Sequence, residues 1–259
     1  MNSTEPPLPP TLPDWTALWA GTLGWSPTAE QVQQFQTLYT QILAGNQALN
    51  LTRITTPIDF AEKHLWDSLR GIQALLAPAA IATEQSPPTS FAVIDIGTGA
   101  GFPGLPVAIA QPHWTVTLLD STRKKMMFIE QLLPALQLTN VKPLVGRVEA
   151  IGQQRHHRAQ YDLALIRAVA SASVCAEYCL PLLKAGGLAV LYRGQWTEAE
   201  TIALEAAVSL LGGQIAAIDH FQTPITHGER HCISLRKVHS TPAQYPRAIG
   251  IPAQQPLPT

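Results

Sequence analysis

Four glycines fall within eight positions of the stretch VIDIGTGAGFPG, which runs from Val93 to Gly104. An apolar strand pattern around Asp95 leads into them, and a helical pattern follows. At a strand-to-helix turn of this kind, the missing side chains let a ligand lie against the backbone at the carboxyl end of the strand. The stretch therefore predicts a nucleotide-type binding turn.

These glycines fit two patterns. Gly99 to Gly104 satisfies GxGxxG, the fingerprint of dinucleotide-binding oxidoreductases, but Pro103 then falls inside the fingerprint. An acidic-x-Gly-x-Gly-x-Gly pattern begins at Asp95, directly on the strand, and fits the chain more naturally. Both patterns predict an acid at the end of the next strand. Asp120, 23 residues after Gly97, is placed to accept both hydroxyls of an adenosine ribose.

Strands alternate with helices from Phe91 onward, and this alternation predicts a parallel sheet covered on both faces. One of the helices is expected over Ala172 to Leu183, stopped by the sequence KAGG, with a strand from Leu188 to Tyr192 after it. The last two strands, QIAAIDHF and HCISLRKV, are joined without a helix and predict an antiparallel hairpin at the sheet edge. Such a hairpin is expected for the sheet of S-adenosylmethionine-dependent methyltransferases and not for dinucleotide-binding domains.

A small helical unit precedes the sheet. Thr28 and Gln31 are spaced for a capping box, and a second helix is expected to begin at Thr56–Pro57. On that second helix, Lys63, His64 and Asp67 share one face, which by spacing alone favours a solvated surface. The predicted fold class is therefore α/β, a Rossmann-like class I methyltransferase sheet that ends in an antiparallel hairpin and follows a small N-terminal helical unit.

Composition shifts divide the chain into five predicted segments. They are a proline-rich, extended or disordered arm over 1–25, the helical unit over 26–76, a linker over 77–90, the methyltransferase domain over 91–238 and a basic, proline-containing tail over 239–259.

Composition also excludes some classes of function. The sequence has no run of about 18 apolar residues, and its N-terminus resembles no signal peptide, so we expect a cytoplasmic protein with no membrane partner. A net charge of −1 means that binding to nucleic acid needs a local basic patch. Cys175 and Cys179 are expected in the core, and we predict no metal ion.

Several motifs, in order along the chain, resemble the RsmG family, also known as the glucose-inhibited division protein B family. The motifs are NLTRI, KHLWDSL, IDIGTGAGFPGLPVAIAQP, LLDSTRKKMMFI, GRVEAI, IRAVAS, PLLKAGG and TPAQYPRAIGIP. The resemblance covers roughly Ala44 to Leu257. It implies methylation of N7 of one guanosine in 16S ribosomal RNA of the small subunit, with S-adenosylmethionine as cofactor.

The resemblance also implies roles for particular residues. The glycine loop and Phe102 would line the methionine and ribose part of the cofactor, Asp120 would hold the ribose, and the stretch at Glu149 would hold the adenine. The implied cofactor residues are Gly97, Gly99, Phe102, Asp120, Ser121, Thr122, Val148, Glu149 and Arg167. The basic groups expected to meet the RNA are Lys63, His64, Arg123, Arg193 and Arg247.

This chain departs from the family pattern at a few positions. Arg193 replaces a lysine point charge with a planar guanidinium, while Ala248 and Gln254 stand where a more basic tail is expected. Residues 153–160, with the sequence QQRHHRAQ, have the character of an insertion.

Guanine N7 carries an exposed lone pair, so its attack on a sulfonium methyl group needs no prior loss of a proton. We therefore assign no catalytic base and expect a flat pH-rate profile. A monomer without an obligate protein partner is expected. Three alternatives remain open at this stage: a dinucleotide-dependent oxidoreductase, a non-catalytic ribosome-assembly factor, and a methyltransferase for a small molecule or protein.

Overall fold

The computed structural model describes residues 10–76 and 90–257. The strands are β1 Ala92–Ile96, β2 Thr115–Asp120, β3 Val141–Val145, β4 Tyr161–Arg167, β5 Leu183–Arg193, β6 Gly213–Gln222 and β7 Glu229–Lys237. The helices before β1 are α1 Thr16–Leu23, α2 Ala29–Leu49, α3 Pro57–Phe60, a π-helical turn Ala61–Trp66, α4 Asp67–Arg70 and α5 Gln73–Leu76. Those after β1 are α6 Gly104–Ala110, α7 Arg123–Ala135, α8 Val148–Ile151, α9 Ala172–Cys179, a 3₁₀ turn Leu180–Leu182, α10 Glu198–Leu210 and α11 Ile251–Gln254.

The strands form one sheet in the order β3-β2-β1-β4-β5-β7-β6. Strands β1 to β5 are parallel, while β7 runs antiparallel to both β5 and β6. This order confirms the predicted class I methyltransferase sheet with its terminal hairpin. The chain leaves β1 toward β2 on one side and returns to β4 on the other, so a crevice opens at the carboxyl end of β1, where ligands bind in open α/β sheets.

The helical unit packs on one face of this sheet. The predicted capping box is present at Thr28 and Gln31, and Gln31 also donates a hydrogen bond to the carbonyl of Ile109 in α6 at 2.8 Å. Helix α2 buries Leu38 and Ile42 completely, in one core cluster with residues of α6 and α7. The other face of the sheet is covered by α9 and α10. The helical unit is therefore one of the layers that build the crevice.

The predicted extended arm contains a helix in its described part. Residues Thr16–Leu23 are α-helical, with Trp19 and Leu23 buried. Trp19 packs edge-on against Phe35 of α2, with ring centroids 5.3 Å apart. Because these apolar side chains find a surface to pack against, the segment gains enough burial to become ordered despite the prolines before it. The predicted linker over 77–90 lies outside the described residues, apart from Ser90.

Strand β5 begins earlier than expected. Helix α9 ends at Cys179, and the residues KAGG belong to the start of β5 instead of terminating a helix. The pairing with β4 shifts from Tyr161↔Leu183 to Leu163↔Leu188, so the extra residues of β5 form a bulge. Gly186 takes the left-handed conformation there, with φ of 79°. Pairing with β4 therefore overrides the helix-stop pattern that the glycines suggest.

Within residues 10–76 and 90–257, no helix combines the length and the apolar composition that a membrane span requires.

Candidate active site

The glycine loop, residues 97–103, follows β1 at the crevice. Gly97 has φ of 70° and donates its N–H to the carbonyl of Leu119 at 2.8 Å, which ties the loop to β2. Gly99 has φ of 60°, and a Cβ at this position would meet no atom closer than the Gly97 carbonyl oxygen, 4.0 Å away. The loop thus leaves open space beside the backbone, as expected for a turn that receives a ligand.

Asp120 stands at the end of β2, beside this loop. Its Oδ2 accepts the N–H of Gly99 at 3.0 Å, and its Oδ1 accepts the N–H of Thr122 at 2.7 Å. Each carboxylate oxygen can accept more than one hydrogen bond, so both retain capacity for a ligand hydroxyl. The backbone therefore fixes the orientation of the carboxylate in advance.

Asp95 anchors the loop from below. It is completely buried, and its Oδ2 accepts hydrogen bonds from Thr98 Oγ1 at 2.5 Å and from the N–H of Gly104 at 2.8 Å. Its Oδ1 has no hydrogen-bond partner among the described residues. Burial raises the pKa of Asp95 to about 6. In the sequence, Asp95 is the first residue of the acidic-x-Gly-x-Gly-x-Gly pattern, but the pattern predicts no role for its side chain.

A cavity of about 210 Å³ lies at the carboxyl ends of β1 and β2, and we call it the strand-end cavity. Its lining residues are Ile96, Gly97, Leu119, Asp120, Ser121, Gly146, Arg147, Val148, Glu149, Val169, Ala170, Tyr178 and Ala253. The structure thus brings together five of the predicted cofactor residues: Gly97, Asp120, Ser121, Val148 and Glu149. Gly99 and Thr122 adjoin it through their hydrogen bonds to Asp120, whereas Phe102 and Arg167 are not among the lining residues.

Glu149 is buried at one end of the strand-end cavity. Its Oε1 accepts hydrogen bonds from Arg147 Nη2 at 3.1 Å, Tyr178 Oη at 3.3 Å and the N–H of Gly250 at 3.1 Å. Burial opposes ionisation, but the hydrogen bonds from Arg147 and from the Gly250 N–H outweigh it and lower the pKa of Glu149. Its Oε2 has no partner within the described part of the chain. The residue is therefore an ionised acceptor and not the solvated acid that its position alone suggests.

The tail closes the strand-end cavity, which no local pattern predicted. Arg247 binds the buried carboxylate of Glu177, with 2.6 Å between Nη2 and Oε2. Arg158, from the insertion, donates to the carbonyl oxygens of Tyr245 at 2.6 Å and Thr241 at 2.8 Å. The guanidinium of Arg247, predicted to meet RNA, is instead committed to holding the tail in place.

A second cavity, of about 280 Å³, lies beside the first, and we call it the arginine cavity. Its lining residues are Asp67, Arg167, Ala168, Tyr192, Arg193, Gly194, Gln195 and Arg230. Residues 168–170 form the wall between the two cavities, since Val169 and Ala170 line the first. Ala168 has φ of 55°, uncommon for a residue with a Cβ atom, where the backbone turns after β4. Arg193 donates to the carbonyl of Ala170 at 2.7 Å and so holds this wall.

His64 is buried beside Phe102 and Arg167 and does not face solvent. Its ring stacks on Phe102, with centroids 4.3 Å apart and an 11° angle between the planes. Because Arg167 can only donate, His64 Nδ1 accepts from Arg167 Nη2 at 3.2 Å, and Nε2–H donates to Thr52 Oγ1 at 2.7 Å. Burial and the charge of Arg167 lower the pKa of His64 to about 3. The ring is therefore neutral and packs inside the protein against Phe102 and Arg167, and the contact of His64 with RNA stays a prediction.

Lys63 and Asp67 do not share a solvated face either. In the π-helical turn, the N–H of Asp67 donates to the carbonyl of Glu62, five residues earlier, so the α-helical spacing does not apply. Lys63 Nζ pairs with Asp59 Oδ1 at 2.5 Å on the surface. Asp67 is buried, and burial raises its pKa against the opposing effect of Arg167 and Arg230. Asp67 was not predicted as a site residue, and its only signal was its place in the KHLWDSL motif, whereas Arg230 is one of the scattered basic residues that could converge on RNA.

Four of the five predicted RNA contacts are exposed or partly exposed, namely Lys63, Arg123, Arg193 and Arg247. Arg123 is exposed in the first turn of α7, three residues after Asp120. Arg193 lines the arginine cavity, where its Nη2 also approaches Glu200 Oε1 at 3.4 Å. Both lie at the carboxyl edge of the sheet, and the carbonyl of Lys63 reaches the same edge, where it accepts from Arg167 at the end of β4.

The sequence matches the model of the family described as rRNA small subunit methyltransferase G over residues 31–233. A protein from Nostoc punctiforme with the name ribosomal RNA small subunit methyltransferase G is 59% identical over 246 residues, which cover 95% of this chain and 98% of the relative. A protein of the same name from Synechococcus elongatus is 56% identical, with 92% and 95% covered. A solved structure from Methanosarcina mazei, described as a SAM-dependent methyltransferase, has a TM-score of 0.47 and 15% identity over 59% of this chain and 94% of its own.

Proposed function

This chain belongs to the rRNA small subunit methyltransferase G family, and from that premise we propose that it transfers a methyl group from S-adenosylmethionine to N7 of one guanosine in 16S ribosomal RNA. The observation that carries the proposal is the placement of two cavities on either side of residues 168–170. One has the carboxylate and the open backbone that suit a nucleoside cofactor, and the other has three arginines that suit RNA.

The strand-end cavity fits the cofactor on three observations. Asp120 is held with acceptor capacity for the two ribose hydroxyls, and the loop leaves open space at Gly99. Glu149 Oε2 is a buried acceptor without a hydrogen bond in the described structure, a condition that a donor such as the adenine amine would relieve. In this proposal Ser121 contacts the ribose and Val148 contacts the adenine. The methionine part of the cofactor lies along the glycine loop. S-adenosylmethionine supplies an electrophilic sulfonium methyl group.

The residues of the site act by positioning. The N7 lone pair attacks the methyl carbon, the bond from that carbon to sulfur breaks, and the electron pair of that bond stays on sulfur. No proton moves and no metal ion is needed in this proposal. Orientation and proximity alone can supply roughly 7 to 11 kcal/mol of the lowering of the barrier. His64, with a pKa of about 3, is a neutral imidazole with a single ring proton at neutral pH, so its titration leaves the predicted pH-rate profile flat.

RNA is proposed to approach along the carboxyl edge of the sheet. Arg167, Arg193 and Arg230 line the arginine cavity, and Lys63 and Arg123 offer outlying positive charge. This local cluster suits phosphate despite the net charge of −1. Phe102 is proposed to act indirectly, through its stack on His64. A monomeric state and a cytoplasmic location remain predictions.

The test is transfer of labelled methyl from S-adenosylmethionine to small ribosomal subunits that lack the N7 mark. We expect label at N7 of one guanosine, and its loss in Asp120→Ala but not in Glu130→Ala, a change of an exposed acid on α7. Cofactor binding without labelled RNA would refute the substrate, and label at another atom would refute the N7 assignment. Absence of turnover on every ribosomal substrate would instead favour a non-catalytic assembly factor.

A further inference from the structure

Asp67 stands out because it is buried, charged partners surround it, and yet it makes no close ion pair. Its Oδ2 lies 3.5 Å from Arg167 Nη1, and its Oδ1 lies 3.6 Å from Arg230 Nε. Charge-assisted hydrogen bonds are ordinarily about 2.7–2.9 Å long. Glu177 and Arg247, another buried pair in the same chain, meet at 2.6 Å. The carboxylate of Asp67 therefore keeps most of its accepting capacity in the arginine cavity.

The elements around Asp67 are fixed on both sides. The buried carboxylate of Glu62 accepts the N–H groups of Ile225 at 2.6 Å and Thr226 at 2.9 Å, and the hydroxyl of Thr226 at 2.5 Å. These bonds hold the β6–β7 loop against the π-helical turn. Glu62 lies five residues before Asp67, and Thr226 lies four residues before Arg230. The long distances between Asp67 and the two arginines therefore occur between elements that are held in place.

The arginines offer Asp67 little in return because they are engaged elsewhere. Arg167 Nη1 donates to the carbonyl of Lys63 at 2.9 Å, and Arg230 Nη1 donates to the carbonyl of Glu229 at 2.9 Å. The hydroxyl of Tyr192 donates to the carbonyl of Ser68 at 2.7 Å. The carboxylate of Asp67 thus keeps its capacity to accept hydrogen bonds beside positive charge, which suits a ligand with two adjacent N–H donors next to a phosphate.

We propose that the arginine cavity receives the target base turned out of the RNA, and that Asp67 accepts hydrogen bonds from N1–H and the exocyclic amine of guanine. This assignment rests on the proposed function. Guanine presents two donors side by side on its Watson–Crick edge, whereas adenine presents an acceptor at N1, so the carboxylate selects guanine. N7 lies on the opposite side of the purine, free to face residues 168–170 and the strand-end cavity. Enzymes that modify bases in RNA commonly take the base out of its stack and contact its Watson–Crick edge.

The test replaces the target guanosine with analogues in a reconstituted small subunit. Inosine lacks the exocyclic amine, and 2-aminopurine lacks N1–H, while both keep N7. For the wild-type protein we expect kcat/KM for methyl transfer to fall about 10-fold or more with each analogue, the loss of one hydrogen bond to a charged group. Equal rates for guanosine and both analogues would overturn the proposal without any protein variant.

The second arm asks whether Asp67 is the group responsible. In Asp67→Asn we expect guanosine and inosine to be methylated at rates within about 2-fold of each other, because the lost carboxylate removes the preference. Asp219→Asn, which changes an acid paired with Arg70 on the outer hairpin, should keep the wild-type preference. Equal slowing of both substrates in Asp67→Asn would assign the residue a structural role and overturn the proposal.

A third variant covers the case in which Asp67→Asn fails to fold. Asp67→Glu keeps the carboxylate, so the preference for guanosine should persist even if the rate drops. Loss of the preference in a folded Asp67→Glu that still binds cofactor would count against recognition by the carboxylate. Failure of the proposed function is distinct, since the wild-type protein would then place no label on N7 of guanosine.

Discussion

In the strand-end cavity, both oxygens of Asp120 accept backbone N–H groups within 3.0 Å, whereas in the arginine cavity the oxygens of Asp67 lie 3.5 Å from Arg167 and 3.6 Å from Arg230. Backbone donors at the end of a parallel sheet hardly move, so the first carboxylate is oriented before any ligand arrives. Arginine side chains have several rotatable bonds, so the second can exchange its partners for a ligand. In our proposal the first carboxylate is prepared for a small cofactor, and the second for a nucleotide within a large RNA.

The largest expected effect comes from removing the prepared carboxylate. In Asp120→Ala, cofactor affinity should fall about 100-fold or more, since the ribose hydroxyls lose a charged acceptor and the N–H groups of Gly99 and Thr122 lose their partner. Calorimetric titration with S-adenosylmethionine measures this loss. Asp120→Asn keeps one carbonyl oxygen, so its affinity for S-adenosylmethionine should lie between those of the wild-type protein and Asp120→Ala. Unchanged affinity in the alanine variant would show that the cavity does not hold the ribose there.

Detaching the tail should destabilise the protein by about 3 kcal/mol. Arg247→Ala leaves the fully buried carboxylate of Glu177 without its ion pair, and breaking such a pair usually costs about 3–5 kcal/mol. The loss of stability should lie near the lower end of this range, because the backbone N–H of residue 247 still donates to Glu177. Urea unfolding measures the change, and Lys184→Ala, which breaks an exposed pair with Asp162, should change stability by less than about 1 kcal/mol. Equal effects of the two substitutions would refute a structural role for Arg247.

The salt dependence of RNA binding should distinguish the arginine cavity from the tail. Removing a phosphate contact with Arg193→Gln should lower the slope of log affinity against log salt by roughly one. Arg236→Gln and Arg247→Gln should leave the slope unchanged, since Arg236 lies at the other end of β7, away from the arginine cavity, and Nε and Nη2 of Arg247 both bind the buried carboxylate of Glu177. Filter binding at several salt concentrations measures the slopes. A change with Arg247→Gln alone would place the RNA on the tail instead.

The smallest expected effect is a pH dependence of stability with two opposing sources. His64 has a pKa of about 3 when folded and near 6.5 when unfolded, so below pH 6.5 it lowers the free energy of unfolding by about 1.4 kcal/mol per pH unit. Asp95, with a pKa of about 6 when folded and 3.8 when unfolded, raises the free energy of unfolding as the pH falls from 6 toward 4. The two contributions largely cancel in the wild-type protein.

Removing one of the two groups exposes the other. Compared with the wild-type protein, His64→Gln should gain about 2 kcal/mol of relative stability between pH 7 and pH 5, because only the contribution of His64 is lost. Glutamine can still accept from Arg167 and donate to Thr52, so the local contacts persist. Urea unfolding at the two pH values measures the difference. A parallel response of variant and wild type would show that His64 titrates normally and is not buried as a neutral ring.

Much of the fold and of the strand-end cavity could be predicted from the sequence. The glycine loop, Asp120 at the end of β2, the capping box at Thr28 and the terminal hairpin all depend on residues close together in the chain. Turn geometry, helix caps and strand ends obey local steric and hydrogen-bonding rules, so the spacing of a few residues is enough to place them.

Only the tertiary structure decided what the charged residues do. Asp67 and Arg230 are separated by 163 positions, and Arg247 and Glu177 by 70, so no periodicity links them. The π-helical turn places Asp67 inside the protein, the tail covers Glu149 at Gly250, and α1 packs against α2. A charge lies in water or in a cavity according to which distant segments cover it, and that packing is a property of the whole molecule and not of a local run of residues.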